Sequence, residues 1–237
     1  LLSLQYKNSL KGISLRGTNI SNSTLFYLAT FTQLKLLDIS KSEPLQCTQI
    51  TETSIITLTS SVEKIIWIDL SWNKLITDLA LRTMLTACAH LQHLGLQCCS
   101  LVTDELFFVL QQLKLETLDV SGCELISDSG LEMLVDKRSA IYSTLKTLIC
   151  SFLPLTTENV LSHLLTLPAL DKLEMRRGAI TEWISPLFFS RHRAHVERLE
   201  VGIFSHKDQF KYPFSAPSMQ SVCLHMKIAS TYSWPYI

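Results

Sequence analysis

An apolar frame of the form Leu-x-x-Leu-x-Leu, or a close variant, begins nine times in this 237-residue chain. The starts are Leu10, Leu34, Ile65, Leu91, Leu115, Leu145, Leu170, Val196 and Met219, separated by 24, 31, 26, 24, 30, 25, 26 and 23 residues. A fixed period in this range is the mark of an array in which one small unit recurs and stacks on its neighbours. No single unit can bury its apolar face alone, so stacking supplies one continuous core. The spacing predicts a solenoid running over residues 1–237 as a single domain, with repeats starting near those nine positions.

The fourth and fifth units expose the design of one repeat. Leu91, Leu94, Leu96, Cys99, Thr103 and Asp104 are echoed by Leu115, Leu118, Val120, Cys123, Ser127 and Asp128. Leu94 and Leu96 alternate with polar neighbours, which predicts a short strand with one buried face. The same alternation in every unit predicts that each strand runs parallel to the next. Cys99, Cys123 and, in the third unit, Asn73 stand where the chain turns inward. A small polar side chain there can satisfy backbone groups that burial would otherwise leave unpaired. Thr77-Asp78, Thr103-Asp104 and Ser127-Asp128 then precede apolar residues at helical spacing. The hydroxyl is a natural N-cap, and the acid favours the positive end of a helix. Each repeat therefore reads as strand, turn and helix.

The pattern weakens in places. An insertion at 43–47 lengthens the second unit, and another at 136–143 lengthens the fifth. Pro154 and Pro186 interrupt the sixth and seventh, and residues 204–217 are rich in aromatics and proline. The last strand is expected from Met219 to Leu224, followed by an irregular apolar ending that is either a cap or the cut edge of the array.

Composition narrows the functional classes. Apolar residues make up 47% and charged residues 18%, enough for a long core, and 21 basic side chains balance 21 acidic ones. Zero net charge supplies no general pull toward nucleic acid or an anionic membrane, and neither is expected as a partner. No apolar run approaches membrane-spanning length. The chain starts at Leu1 and its first methionine is Met84, so it reads as a piece of a longer protein. Seven cysteines scattered through the repeats do not form a disulfide framework, which points to a cytoplasmic or nuclear location. Sequons at Asn19 and Asn22 point the other way.

The run from Leu91 to Asp104, with its counterpart from Leu115 to Asp128, resembles the cysteine-containing class of leucine-rich repeat. Such repeats are typical of F-box leucine-rich proteins, the substrate receptors of SCF-type ubiquitin ligases. Ile65 to Asp78 is similar with Asn73 in place of cysteine, and the sixth to ninth units keep only the strand frame. The resemblance spans roughly residues 10–225. It implies an α/β leucine-rich repeat solenoid, a curved horseshoe with parallel strands on the concave face and helices on the convex face. It also implies a non-catalytic protein-recognition module, with an SCF adaptor as partner only if an F-box lies upstream. The alternative is a repeat-only regulatory scaffold or effector, of the GTPase-regulator or nuclease-inhibitor kind, with no ligase link.

In that frame the third, fifth and seventh residues of each unit point out of the concave sheet. The fifth-position row carries Asp38, Asp69, Asp119, Glu174 and Glu200, an acidic strip suited to a basic peptide; the competing account is ordinary solvated strand text. The third-position row carries Trp67, His93, Lys172 and Arg198. An outward Trp67 is either a binding hot spot or a residue covered by the 43–47 insertion, and Trp72 shares that ambiguity. Gln97 and Arg176 continue the face. The candidate partner-binding set is thus Asp38, Trp67, Asp69, His93, Gln97, Asp119, Lys172, Glu174, Arg176, Arg198 and Glu200. Lys172, Glu174 and Arg176 can equally pair among themselves. Arg191, His192, Arg193 and His195 form a basic cluster that reads as a solvated outer face or a phosphate site.

Catalysis and metal binding find no support in the pattern. Cys88, His90, Cys98 and Cys99 lack the paired spacing of a zinc site. His93 has no nucleophile and orienting partner in its predicted surroundings. No Gly-rich phosphate loop, His-Glu-x-x-His or Gly-x-Ser-x-Gly motif occurs. The reading is a monomeric binding protein with no cofactor that holds another protein on its concave face.

Overall fold

The computed structural model describes residues 8–41, 50–58, 63–177, 198–203 and 226–227. Strands β1 (Gly12–Ser14), β2 (Leu36–Asp38), β3 (Trp67–Asp69), β4 (His93–Gly95), β5 (Thr117–Asp119), β6 (Thr147–Ile149), β7 (Lys172–Arg177) and β8 (Arg198–Ile203) pair in chain order, each parallel to the next. Between them lie α1 (Asn22–Leu28), α2 (Glu52–Thr57), α3 (Asp78–Leu85), α4 (Leu106–Leu110), α5 (Asp128–Glu132) and α6 (Glu158–Leu164). Consecutive helices pack on one another along the opposite side of the sheet.

The frame residues make the core. In the second to sixth repeats, Leu34, Leu37 and Ile39; Ile65, Ile68 and Leu70; Leu91, Leu94 and Leu96; Leu115, Leu118 and Val120; and Leu145, Leu148 and Cys150 are all essentially fully buried. Leu170, Leu173 and Met175 extend the same stack into the seventh. A period of two puts alternate residues on opposite faces, so the middle residue of each strand must point inward. The helices add Leu25, Ile55, Leu81, Phe107, Leu131 and Val160 from the other side.

Two ladders of polar contacts lock neighbouring repeats together. The first is buried. Asn73 Nδ2 donates to the Ile39 carbonyl at 3.1 Å and to the Leu70 carbonyl at 2.7 Å. Cys99 Sγ reaches the Leu70 carbonyl at 3.4 Å, and Cys123 Sγ the Leu96 carbonyl at 3.1 Å. Each thus satisfies a carbonyl of the preceding repeat. The second ladder runs along the helix starts. Thr77, Ser127 and Thr157 cap their own helices by accepting backbone N–H groups. The neighbouring acid reaches onward: Asp78 accepts the Thr103 hydroxyl at 2.7 Å, and Asp104 accepts the Ser127 N–H at 2.8 Å. Asp128 accepts the Thr157 N–H at 2.6 Å. The Thr/Ser-Asp pair is therefore a cap for one repeat and a clamp on the next.

One backbone conformation also recurs. Seven residues after the frame start, Gly17, Trp72, Cys98, Gly122 and Phe152 all have φ between 57° and 68°. The chain leaves the strand through a left-handed residue to reach the helix layer, a conformation that costs a residue with a β-carbon roughly 1–2 kcal/mol. At Gly122 an added β-carbon would also lie 2.8 Å from Cys98 Sγ. Gly122→Ala is expected to lower stability by about 1–2 kcal/mol. Gly12→Ala, whose β-carbon would make an ordinary 3.5 Å contact with Leu36, should stay within about 0.5 kcal/mol of wild type. Urea unfolding midpoints compare the two.

The insertion at 136–143 is partly ordered as a 3-10 turn, Ile141–Ser143, which follows another at Met133–Val135. The array departs from uniform parallel pairing at its end. The final described strand, β9 (Met226–Lys227), runs antiparallel to β8, with Arg198 opposite Lys227. The expectation of parallel pairing throughout is corrected there. An antiparallel partner reverses the chain instead of completing another strand–turn–helix circuit, so β9 is not one more copy of the repeat. The frame from Met219 to Leu224, the basic cluster at 191–195 and the 204–217 stretch lie outside the described residues.

Candidate functional site

Register places the outward rows of the sheet side by side. Gly12, Leu36, Trp67, His93, Thr117, Thr147, Lys172 and Arg198 are neighbours in one row. Ser14, Asp38, Asp69, Gly95, Asp119, Ile149, Glu174 and Glu200 form the next. The candidate residues of the sequence reading therefore share one face, with Gln97 just beyond β4. Arg176 pairs in register with Gly202, and Arg198 and Glu200 stand beside Lys172 and Glu174.

Their roles diverge. Asp38 is only 7% exposed. One carboxylate oxygen accepts the Ser14 hydroxyl at 2.8 Å, and the other accepts the Ser40 N–H at 3.0 Å and the Ser40 hydroxyl at 2.6 Å. Three donors tie this acid to its own strand and to β1. Asp69 and Asp119 use the same Asp-x-Ser device more sparingly. Each accepts the N–H of the serine two residues on, Ser71 or Ser121, at 2.9 Å. Those serines carry the device forward: Ser71 Oγ accepts the Gln97 N–H at 3.0 Å, and Ser121 Oγ accepts the Ser151 N–H at 3.3 Å. At the far end Lys172 and Glu174 form an ion pair within one strand, so these charges neutralise each other.

Trp67 and His93 are the aromatic centre. Their rings stack across β3 and β4 with centroids 4.7 Å apart and planes 9° from parallel. Both side chains are half-buried, and burial lowers the His93 pKa, with the Asp69 charge opposing that shift. The imidazole is therefore predominantly neutral at pH 7. The 43–47 insertion lies outside the described residues, and it is the His93 ring that covers one face of Trp67.

Beside this stack a hollow of about 290 Å³ opens. Trp67, His93, Trp72, Asp69, Asp119 and Ile149 line it, together with Gly95 and Gln97. Arg16 and Lys41 stand at its β1–β2 end. Gly95 is essential to the shape. A β-carbon there would fall 2.6 Å from Asp69 Oδ1, so Asp69 leans over the space that a side chain would fill. Burial pushes the Asp119 carboxyl above its ordinary value, and the charges of Asp69 and Glu174 add to the shift while Ser121 opposes it. The sequence reading counted Trp67, Asp69, His93, Gln97 and Asp119 as candidates; it placed Gly95 and Ile149 in the outward row without making them candidates, and did not single out Arg16 or Lys41. A lone glycine between two aspartates in the fifth-position row was the visible signal for the hollow.

Burial holds the Cys88, Cys98, Cys99 and Cys123 thiols in their protonated, weakly nucleophilic form. Burial pushes Cys88 up to about 12, and Cys98 up to about 11 with help from the Asp119 charge. Among the described residues no group of three or more His, Cys, Asp or Glu side chains converges on a point that could hold a metal. No described helix is long and apolar enough to cross a membrane.

The leucine-rich repeat family model matches residues 111–135, from the end of α4 through β5 and α5. That segment contains the complete Leu115–Asp128 repeat, and the parallel strand–helix order propagates the same unit along the sheet. The fold is a leucine-rich repeat solenoid. No curated protein matches the chain. Leucine-rich repeats suggest protein–protein interaction.

Proposed function

We propose that this leucine-rich repeat protein is a non-catalytic recognition module that holds a protein partner on its concave sheet. The observation that carries the reading is the Trp67–His93 stack, a half-buried aromatic pair beside an open hollow on the concave face. Aromatic anchors of this kind are where interface binding energy concentrates. Asp69, Gln97 and Asp119 would supply the polar contacts around it, with Lys172, Glu174, Arg176, Arg198 and Glu200 at one flank. The cysteine-containing repeats from Leu91 to Asp104 and from Leu115 to Asp128 support a finer assignment, recruitment of a substrate to an SCF-type ubiquitin ligase.

Affinity purification from cells tests both levels. Trp67→Ala combined with Asp69→Ala is expected to weaken partner capture by at least about 2 kcal/mol, roughly 30-fold. Unchanged capture would place the interface elsewhere. On the ligase assignment, cullin and its adaptor subunit should be found among the captured proteins. Their absence alongside retained partner capture would favour the repeat-only scaffold.

A further inference from the structure

We propose that the hollow over Gly95 is a receptor for a single arginine side chain of the partner protein, its guanidinium held between the Asp69 and Asp119 carboxylates and the His93 ring. The proposal rests on the concave-face reading and adds the chemistry of the group recognised there.

Size is the first argument. A cavity of about 290 Å³ lies at the bottom of the range for small-molecule sites, so it suits one long side chain better than a cofactor. Charge is the second. Asp38 is saturated by three donors, whereas Asp69 receives one hydrogen bond, from the Ser71 N–H. Asp69 itself lines the hollow. Asp119 stands in the same row beyond Gly95, and two strand spacings bring the two acids to about 10 Å apart at their α-carbons. Asp69 leans over Gly95 and narrows that gap. Asp69 and Asp119 both line this hollow, and their like charges favour a cation at their end of it.

Shape is the third argument. A guanidinium is planar, stacks on aromatic faces and binds carboxylates through several donors at once. The Trp67 ring covers one face of His93, and His93 lines the hollow together with both acids. A neutral imidazole offers no repulsion to a cation. Ile149 and Trp72 provide apolar wall for the methylene stem. Arg16 and Lys41 occupy the opposite end of the hollow, so the cation is directed to the Asp69–Asp119 end.

The test is an NMR titration of the whole chain with N-acetyl-arginine amide and its neutral isostere N-acetyl-citrulline amide, following the Trp67 indole N–H and the His93 ring. Arginine amide is expected to give saturable shifts at both, and citrulline amide to bind at least about tenfold more weakly, since it lacks the charge that strengthens a hydrogen bond to a carboxylate. Asp119→Asn, nearly isosteric and therefore folded, should weaken arginine amide by a similar factor. Leu36→Ala, a change in the adjacent strand outside the hollow, should leave its affinity unchanged. Equal binding of the two amides, or no saturable shift with arginine amide, overturns the proposal. If arginine amide fails while the Trp67→Ala, Asp69→Ala pair still releases the captured partner, the arginine receptor falls and the concave-face reading stands. If arginine amide binds but capture is indifferent to those substitutions, the receptor stands and the face reading falls.

Discussion

Phe107→Ala is expected to destabilise the protein by about 3–5 kcal/mol, whereas the adjacent Phe108→Ala should change stability by no more than about 0.5 kcal/mol. The two rings sit side by side in α4 and differ only in direction. Phe107 is fully buried, while Phe108 is 57% exposed on the outer wall. The packing around Phe107 is tight: a β-carbon added at Gly130, on the next helix, would lie 2.9 Å from its ring. Removing the ring leaves a cavity shared by the fourth and fifth repeats, and the surrounding helices are too closely packed to collapse into it. Urea unfolding of the two variants measures the difference. Equal effects would mean that α4 is rotated about its axis, and the helix side of every neighbouring repeat would have to be reconsidered.

Asn73→Ala should cost about 2–3 kcal/mol. Asn73 is fully buried, and its amide nitrogen donates to three carbonyls, those of Ile39, Leu70 and Ser71. Leu70 has a second partner in Cys99 Sγ and Ser71 accepts the Lys41 N–H, so Ile39 suffers most from the loss. The neighbouring repeats suggest the rescue. Cys99 and Cys123 stand at the same position and each donates to one carbonyl of the repeat before it. Asn73→Cys should therefore restore the contact with Ile39 and recover at least half of the lost stability. If cysteine proves no better than alanine in thermal or urea unfolding, the contribution of Asn73 comes from its fit and not from the ladder.

Much of the fold was legible because its signals are local. Leu94 and Leu96 alternate with His93 and Gly95, and that alternation alone decides which side of the strand is buried. Thr77-Asp78 and Ser127-Asp128 announced helix starts for the same reason, a cap acting within three residues of itself. Thr103, expected to cap likewise, does not, since α4 begins only at Leu106 with Glu105 at its N-cap position. The candidate face was legible as rows, since register follows from the frame. What each member of a row does was not. Asp38, Asp69 and Asp119 share one motif, Asp-x-Ser, yet Asp38 is saturated because Ser14 happens to stand beside it in β1.

The amino-acid order, read alone, determined the repeating unit, the inward and outward sides of each strand and the caps, because these depend on neighbours a few positions away. Only the tertiary structure decided that Trp67 stacks on His93, that Asp69 leans over Gly95, and that Trp72 and Phe152 accept a left-handed turn. It also decided that the sheet ends on an antiparallel strand. Those outcomes join residues one repeat or more apart, and side-chain rotamers and hydrogen-bond partners across strands are selected by packing that no single stretch of sequence contains.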